Sequence, residues 1–399
     1  MSNFLLIDHI QVQDANTIAG FTWGFPAITH FLGFVHLLQR KIYKHADFKD
    51  ITLGGCAVIA HDQQTSTYHS SGSTIAFTQS RNPPYLASHA KDSPPPIIEE
   101  GKMSMTVSIL IEVEESVGQY GQVFIDWVKQ QSYLQRLAGG SIFNIAGATG
   151  FSIKSDDNIS LKALQRKLLP GFALINRSDL LDKHFDTMQA NDSSTEIFDA
   201  WIDFVALKRQ ARPAYDLIDH HLTSLIKDQG DKHIILFEEW QKHLKRSYNS
   251  KDISQKLSDY FNNLVVDKAN KSLINQWQQY IEPTDRTPAK WEYEPKPARG
   301  YLVPIVCGYK AISEVLNNDE VTGTRDSETD VCFVEAVHSI GEWQSVHRWK
   351  NLDAIYDALW QYNYSPDWYL CSHKHIFETS ENEISYEIED LLMQDPSSF

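Results

Sequence analysis

The sequence predicts an α+β protein whose sheet domain is interrupted by a helical block. Three observations carry that prediction. An extended apolar run at residues 5–12 leads through a loop into an amphipathic helix at 26–43. Residues 103–113 alternate, with Met103, Met105, Val107, Ile109 and Ile111 on one face and Ser104, Thr106, Ser108 and Glu112 on the other. That is the pattern of a half-exposed antiparallel strand. From about 179 to 281 the apolar period changes to that of helices.

Taken in order, residues 5–13 form the first strand and Pro26 opens the first helix, where its missing N–H has no partner to lose. Ile28, Phe31, Leu32, Val35, Leu38 and Ile42 make one stripe, while His30, Gln39, Arg40 and Lys44 turn away from it. Gly33 lies inside this helix, where glycine costs about 1 kcal/mol relative to alanine. It predicts another backbone passing close by. A second strand covers 51–60, and a long polar excursion follows at 62–99, with a β-like piece at 74–79 and a proline-rich stretch at 82–96. In a compact domain such an excursion is either disordered or functional. Residues 122–134 read as helix. Arg136 to Ile142 then place paired glycines after a cation, which suits either a plain tight turn or a turn whose N–H groups meet a ligand. A short basic helix at 161–168 ends at Pro170-Gly171, before a strand at 172–176.

The middle block reads as helices at 197–210, 214–227, 234–246, 253–267 and 273–281, broken at Arg212-Pro213, Gln229-Gly230 and Asn249. His220, His221 and His243 within it are expected at the surface. Residues 282–297 form a proline-marked linker, and strands return at 301–307 and 331–335. A Trp- and His-rich segment at 341–349 precedes a helix at 352–360.

At 399 residues and 42% hydrophobic composition, the chain can bury a full core and more than one lobe. Its net charge of −16 argues against indiscriminate nucleic-acid binding, since phosphate affinity comes from neutralising cations. A local site is still open to it: between Asp126 and Arg177, Lys129, Arg136, Lys154, Lys162, Arg166, Lys167 and Arg177 face only Asp126, Asp156 and Asp157. Residues 376–399 form an acidic tail without Lys or Arg, expected to be solvated or disordered. No basic region precedes a long apolar run at the start, and no run approaches the roughly 20 residues of a membrane span. The expectation is a cytoplasmic protein with no membrane contact. Cys56, Cys307, Cys332 and Cys371 are scattered without a CxxC pair, so neither a disulfide framework nor a zinc finger is expected. Cys371, His373 and His375 alternate, but no second ligand cluster accompanies them. No metal or cofactor is expected.

Catalytic signatures are poor: there is no P-loop, GxSxG elbow, HExxH or dinucleotide fingerprint. His9, His36, His61, His338 and His347 have the chemistry of a general base, but none has a partner at a telling spacing. What remains is a sheet domain with a polar finger, a Gly-Gly turn beside Arg136, a basic patch and many aromatics. Those supply cations for phosphates, π faces for bases and main-chain groups for base edges, as single-stranded RNA recognition needs.

Eight segments, in order along most of the chain, carry a resemblance. They are TWGFPAITHFLGFVHLLQRK (22–41), SRNPP (80–84), IIEEGKMSMTVSILIEV (97–113), RLAGGSI (136–142), RKLLPGFALINRSDLL (166–181), GYLVPIVCGYKAIS (300–313), TRDSETDVCFVEAVHSIGEW (324–343) and VHRW (346–349). With them the chain resembles the Csy-two family, the Cas-five-type subunits of type I-F CRISPR surveillance complexes within the RAMP superfamily. The resemblance implies a ferredoxin-like (RRM-like) core over 1–180 with a protruding thumb at 62–99, a helical subdomain at 181–290, a return to the core at 291–375 and the acidic tail. It implies a non-catalytic subunit that caps the 5′ handle of the CRISPR RNA, docks a Cas-eight-type large subunit and abuts the first Cas-seven-type backbone subunit. Target DNA would be reached through the assembled complex, in antiviral defence.

Residue by residue, the resemblance puts Arg81 and Asn82 of the thumb near RNA. It makes Arg136, Gly139, Gly140 and Ser141 the handle turn, and Arg166, Lys167 and Arg177 phosphate ligands. Arg325 and Arg348 are further RNA-binding candidates. One departure stands out: family members pass quickly from the helix near 197 to GYLVPI, whereas this chain inserts 212–290. The insertion is either a partner-docking lobe or a DNA-contacting substitute for a large subunit. The alternative function is a Cas-six-like, metal-independent endoribonuclease that processes CRISPR RNA with a histidine such as His36.

Overall fold

The computed structural model describes residues 2–69, 75–81, 94–115, 120–154, 157–229, 233–324, 326 and 328–373. Asn82, Arg325 and the acidic tail lie outside the described residues. The chain divides into two compact units, residues 1–191 with 300–399, and residues 192–299.

The first unit is α+β and opens with β1 (Ser2–Asn16), α1 (Ile28–Tyr43), β2 (Leu53–Thr65), β3 (Lys102–Val113), α2 (Gly121–Tyr133) and β4 (Gly140–Ile153). These four strands lie side by side in the order β4-β1-β3-β2, every neighbouring pair antiparallel. Next come α3 (Asn158–Leu168) and β5 (Phe172–Asn176), and after the second unit β6 (Leu302–Ala311), β7 (Val334–Ser345), β8 (Trp360–Ser365) and β9 (Trp368–His373). They extend the sheet beyond β2 in the order β5-β7-β6-β9-β8, and β8 returns to pair Trp360 with Cys56 of β2.

β1 is apolar on both sides because both faces of the sheet are covered. Leu5, Ile7, Ile10 and Val12 join a core with Ile28, Phe31, Val35 and Leu38 of α1 and Phe124 and Val128 of α2. Phe4 and Leu6 join a second core with Leu161, Leu164 and Leu168 of α3 and with Val346, Trp349, Ile355 and Leu359. Asp157 caps α3, accepting from the N–H groups of Ile159 and Ser160. The Gln165 amide donates to the carbonyls of Val346 and Trp349, at 3.1 and 2.8 Å, and fixes α3 to that turn.

Three local expectations need correction. Gly33 has no backbone beside it: a Cβ built there would meet only the Tyr362 hydroxyl, at 3.9 Å. The helix expected at 352–360 is a single turn, Asp353–Tyr356. Trp360 starts a strand instead, because its indole N–H donates to the Leu174 carbonyl at 2.8 Å inside the core. His243 is buried, at 4% exposure, with Nε2 3.0 Å from the Tyr280 hydroxyl.

The second unit has helices Ile197–Val205, Asp216–Gln229, Ile234–Leu244, Gln255–Asn262 and Lys271–Ile281. Leu222, Trp240, Phe261, Trp277 and Tyr280 fill its core. The expected helix at 197–210 stops early and the expected linker at 282–297 is partly strand. Arg209–Pro213 and Ala289–Tyr293 pair as an antiparallel ribbon. Arg212 drives this arrangement: it is 2% exposed, its Nε lies 3.1 Å from the Glu292 carboxylate, and its Nη groups donate to the Leu244 and Arg246 carbonyls.

Candidate nucleic-acid interface

One end of the sheet gathers several of the sequence-predicted residues. Asn16, the last residue of β1, pairs with Lys102 at the start of β3, while Thr65 at the end of β2 pairs with Met103. The Asn16 N–H donates to the Ala138 carbonyl at 2.8 Å, and the Thr17 N–H to the Gly101 carbonyl at 3.0 Å. Two consecutive residues thus connect the turn after α2 to the base of the 62–99 excursion.

That turn is a two-residue hairpin. Arg136 pairs with Ser141 and Leu137 with Gly140, and Ala138 and Gly139 between them have φ of +49° and +76°. Positive φ at both central residues is what a type I′ turn requires. Gly139 supplies it without a Cβ penalty. Gly140 is needed for a different reason: a Cβ there would lie 2.5 Å from the Gln13 carbonyl oxygen and 2.7 Å from the Ala15 nitrogen. The glycines therefore have structural causes, and they set Arg136, Gly139 and Ser141 at the surface. Arg136 folds over the turn, an Nη group donating to the Gly139 carbonyl at 3.1 Å.

Beyond Thr65 the excursion forms short hairpins, Thr67–His69 with Ile75–Phe77 and Gln79–Arg81 with Ile97–Glu99. Arg81 is exposed and donates to the Pro95 carbonyl at 3.0 Å. A small hairpin, Ile18–Ala19 with Thr22–Trp23, braces this finger through Trp23, whose ring stacks on Phe77 at 3.6 Å. At its tip Phe21 is 72% exposed and stacks on His338 at 4.7 Å.

A second cation group sits on the α3 layer. Arg166 and Lys167 are exposed in the last turn of α3, and Arg348 is exposed in the turn Val346–Arg348 that Gln165 holds against it. Pro170-Gly171 follow directly. The Pro170 carbonyl meets His61 Nδ1 of β2 at 2.8 Å, and the Gly171 carbonyl accepts from Val346 N–H at 3.1 Å.

Arg177 belongs to neither group. β5 pairs Phe172 with Ala60 and Ala173 with Ile59, so it runs away from the Thr65 end. At its far end Arg177 Nε lies 2.9 Å from Asp179, and an Nη group pairs with Glu342. Hydrogen bonding to Asp179 leads the causes that raise its pKa further. With two carboxylates on one guanidinium, its charge is already matched within the fold.

The structure also assembles a polar cluster that sequence spacing did not suggest. His9 has φ of +45°, at a point where the β1–β3 register shifts between Ile7 and Ile10. Its N–H donates to the Ser108 hydroxyl at 2.9 Å, and its Nδ1 lies 2.6 Å from the Asp8 carboxylate. His61 Nε2 lies 2.7 Å from the same hydroxyl, and the two imidazoles stack with centroids 3.9 Å apart. Burial leads the causes that push the His61 pKa down. The partners come from three strands, 47 to 100 residues apart, so only the Asp8-His9 pair in an otherwise apolar run hinted at them. Cys371 and His373, the alternating pair, are buried in β9, and His373 Nε2 accepts from the Asn176 N–H. Among the described residues no group of three or more His, Cys, Asp or Glu is arranged to hold a metal ion. Nor is any helix there long and apolar enough to cross a membrane.

The fold and this surface define an α+β chain that presents turns, cations and stacked rings from one end of an antiparallel sheet. The model of the CRISPR-associated protein family Cas_Csy2 matches residues 5–246 and 216–371, two pieces that overlap within the helical unit. A curated relative, the CRISPR-associated protein Csy2 of Pseudomonas aeruginosa (strain UCBPP-PA14), is 29% identical over 377 residues, covering 91% of this chain and 92% of that protein. The chain belongs to the Csy2 family of type I-F CRISPR-associated proteins.

Proposed function

We propose that this chain is a non-catalytic subunit of a type I-F surveillance complex that grips the 5′ handle of the CRISPR RNA. The observation that carries this reading is the joint origin of the Arg136 turn and the thumb base at Asn16 and Thr17. It puts a cation-bearing turn and a protruding finger at one end of the sheet, a geometry able to hold a bent single strand. The β1-α1-β2-β3-α2-β4 order with strands arranged β4-β1-β3-β2 supports a ferredoxin-like RAMP core.

In this reading Arg136, Ser141 and Arg81 contact the handle, with Asn82 beside Arg81, while Gly139 and Gly140 shape the turn. Arg166, Lys167 and Arg348 neutralise phosphates along the α3 edge, with Arg325 as a further contact. Arg177, matched by Asp179 and Glu342, acts as an anchor between β5 and β7. The subunit docks a Cas-eight-type large subunit and the first Cas-seven-type backbone subunit, and meets target DNA through the assembled complex in the cytoplasm. The helical unit is the docking lobe, and the exposed Val265 and Val266, at 71% and 81%, are apolar enough to meet a protein partner.

The test is binding of fluorescein-labelled handle RNA at physiological salt. Charge reversal, Arg136→Glu with Arg81→Glu, should weaken it by at least ten-fold. Unchanged affinity would sink the assignment. A Cas-six-like ribonuclease would need groups either side of a scissile phosphate. His9 and His61 are the imidazole pair that brings this reading up again, but their rings stack at 3.9 Å, which leaves no room between them. Ser108 is fully buried and cannot reach a substrate.

A further inference from the structure

The His9–His61 cluster costs the fold something and gains it no apolar burial. A histidine at φ of +45° sits in the left-handed region, which is unfavourable by about 1–2 kcal/mol for a residue with a Cβ. Strain of this kind persists where surrounding contacts over-determine it, and bulges re-aim side chains. Here the contacts converge on one residue, His9. Asp8 holds Nδ1, Ser108 accepts the backbone N–H, and His61 lies flat against one face.

The proton positions follow from the partners. The Pro170 carbonyl only accepts, so His61 Nδ1 carries the proton, and Nε2 of neutral His61, at 2.7 Å, competes with the Asp8 carboxylate, at 3.3 Å, for the Ser108 hydroxyl proton. Burial keeps His61 neutral at pH 7, so it is an uncharged support for its neighbour. His9 donates Nδ1–H to Asp8, which leaves Nε2 at the edge of the ring away from Asp8. A third of the His9 side chain is open to solvent, against 14% for Asp8. His61, on the far side of the stack, abuts Pro170 and Gly171, which follow Arg166 and Lys167 by a few residues.

We propose that His9 is a base-stacking contact for the single-stranded guide RNA, its imidazole presenting a flat face and the Nε2 edge to one unpaired nucleotide, beside the phosphate-neutralising end of α3. This rests on the RNA-binding reading above and adds a subsite to it. A protein side chain on the same ring is the competing occupant. The flat ring, and the cations Arg166 and Lys167 that precede the Pro170 contact of His61, favour a nucleotide, which supplies both a π face and a phosphate.

The test uses the full chain and a fluorescein-labelled synthetic RNA copying the 5′ end of a CRISPR RNA. His9→Asn is the main variant, because asparagine tolerates the left-handed backbone and removes the ring. It should weaken binding by about ten-fold or more, the range expected for one stacked base. A second measurement does not depend on any variant: 4-thiouridine placed along the RNA should photo-crosslink to the peptide containing Asp8–Ile10. Wild-type RNA binding with no loss in His9→Asn and no crosslink there would overturn the His9 subsite and leave the RNA reading standing. No RNA binding by the wild-type chain would remove the broader reading itself. RNA cleavage by the wild type that disappears in His9→Asn would overturn the proposal in favour of catalysis.

Discussion

Trp23 and Phe77 stack with ring centroids 3.6 Å apart and planes within 22°, joining the small hairpin after β1 to the finger that leaves β2. The two residues lie on separate excursions from the sheet, so this stack is the brace of the finger. Aromatic pairs contribute roughly 0.5–1.5 kcal/mol beyond their burial. Trp23→Ala should therefore loosen the finger and leave the sheet intact. Amide hydrogen exchange should quicken in Thr67–His69 and Ile75–Phe77 and stay unchanged in β3. Unaltered exchange in the finger would mean that the stack does not hold it.

Arg212 should be the most costly single side chain to remove from the helical unit. It is 2% exposed, close to Glu292, and bonded to two backbone carbonyls that end the Ile234–Leu244 helix and its following turn. Breaking a fully buried pair from one side costs about 3–5 kcal/mol, and the partial exposure of Glu292 puts this pair at the low end or below it. Arg212→Ala should lower the denaturant midpoint of this unit accordingly, read by Trp240 and Trp277 fluorescence. A shift under ~1 kcal/mol would show that the ribbon is held by its ladder alone.

Acid should destabilise the protein in a defined window. Burial lowers the pKa of His243 and of His373 to about 4 each, against the ordinary 6.5. A folded-state pKa below the unfolded value means that the unfolded chain binds more protons between those limits. The contribution of these two histidines is full above pH 6.5, is lost as pH drops towards 4, and changes no further below. Each histidine contributes up to about 3 kcal/mol to that loss. His243→Phe should reduce the slope of stability against pH across that window. An unchanged slope would show that His243 does not titrate there.

Two glycines should respond in opposite directions. Gly33→Ala meets only the Tyr362 hydroxyl at 3.9 Å and should stabilise the isolated protein by about 0.5–1 kcal/mol through helix propensity. Gly140→Ala would drive a methyl to 2.5 Å from the Gln13 carbonyl and should destabilise. Paired denaturation curves check both. A loss of stability in Gly33→Ala would revive a close neighbour on that helix face.

Periodicity made much of the first unit legible. The stripe of α1 and the bounds of β5 are local properties, and the structure repeats them closely, whereas β3, expected to be half-exposed, is covered on both faces from Val107 onward, with Ser108 and Glu112 buried. What periodicity does not encode is pairing across the sheet. His9, His61 and Ser108 meet only because β1, β2 and β3 are neighbours, and no spacing along the chain reports that. The ribbon of the helical unit was hidden for another reason. Arg209–Pro213 carries two arginines, a glutamine and a proline, a composition that argues for exposure, and only the Glu292 carboxylate and two carbonyls let Arg212 go inside. Counting charges likewise treats every cation as free, so Arg177 looked the same as Arg166 until Asp179 and Glu342 were seen beside it.

The ribbon has a consequence for how this chain tolerates change. Arg209 and Tyr293 face each other across it, the guanidinium 4.5 Å over the phenol ring, so the chain enters and leaves the helices between them at neighbouring points. A segment whose ends are already adjacent adds little closure entropy, since that cost grows only with the logarithm of length. The helices between Pro213 and Ala289 thus form a cassette on a two-stranded stem. The stem is nevertheless tied to one part of the cassette, the Leu244 and Arg246 carbonyls that hold Arg212, so room to lengthen or exchange lies in the helices and turns away from that point.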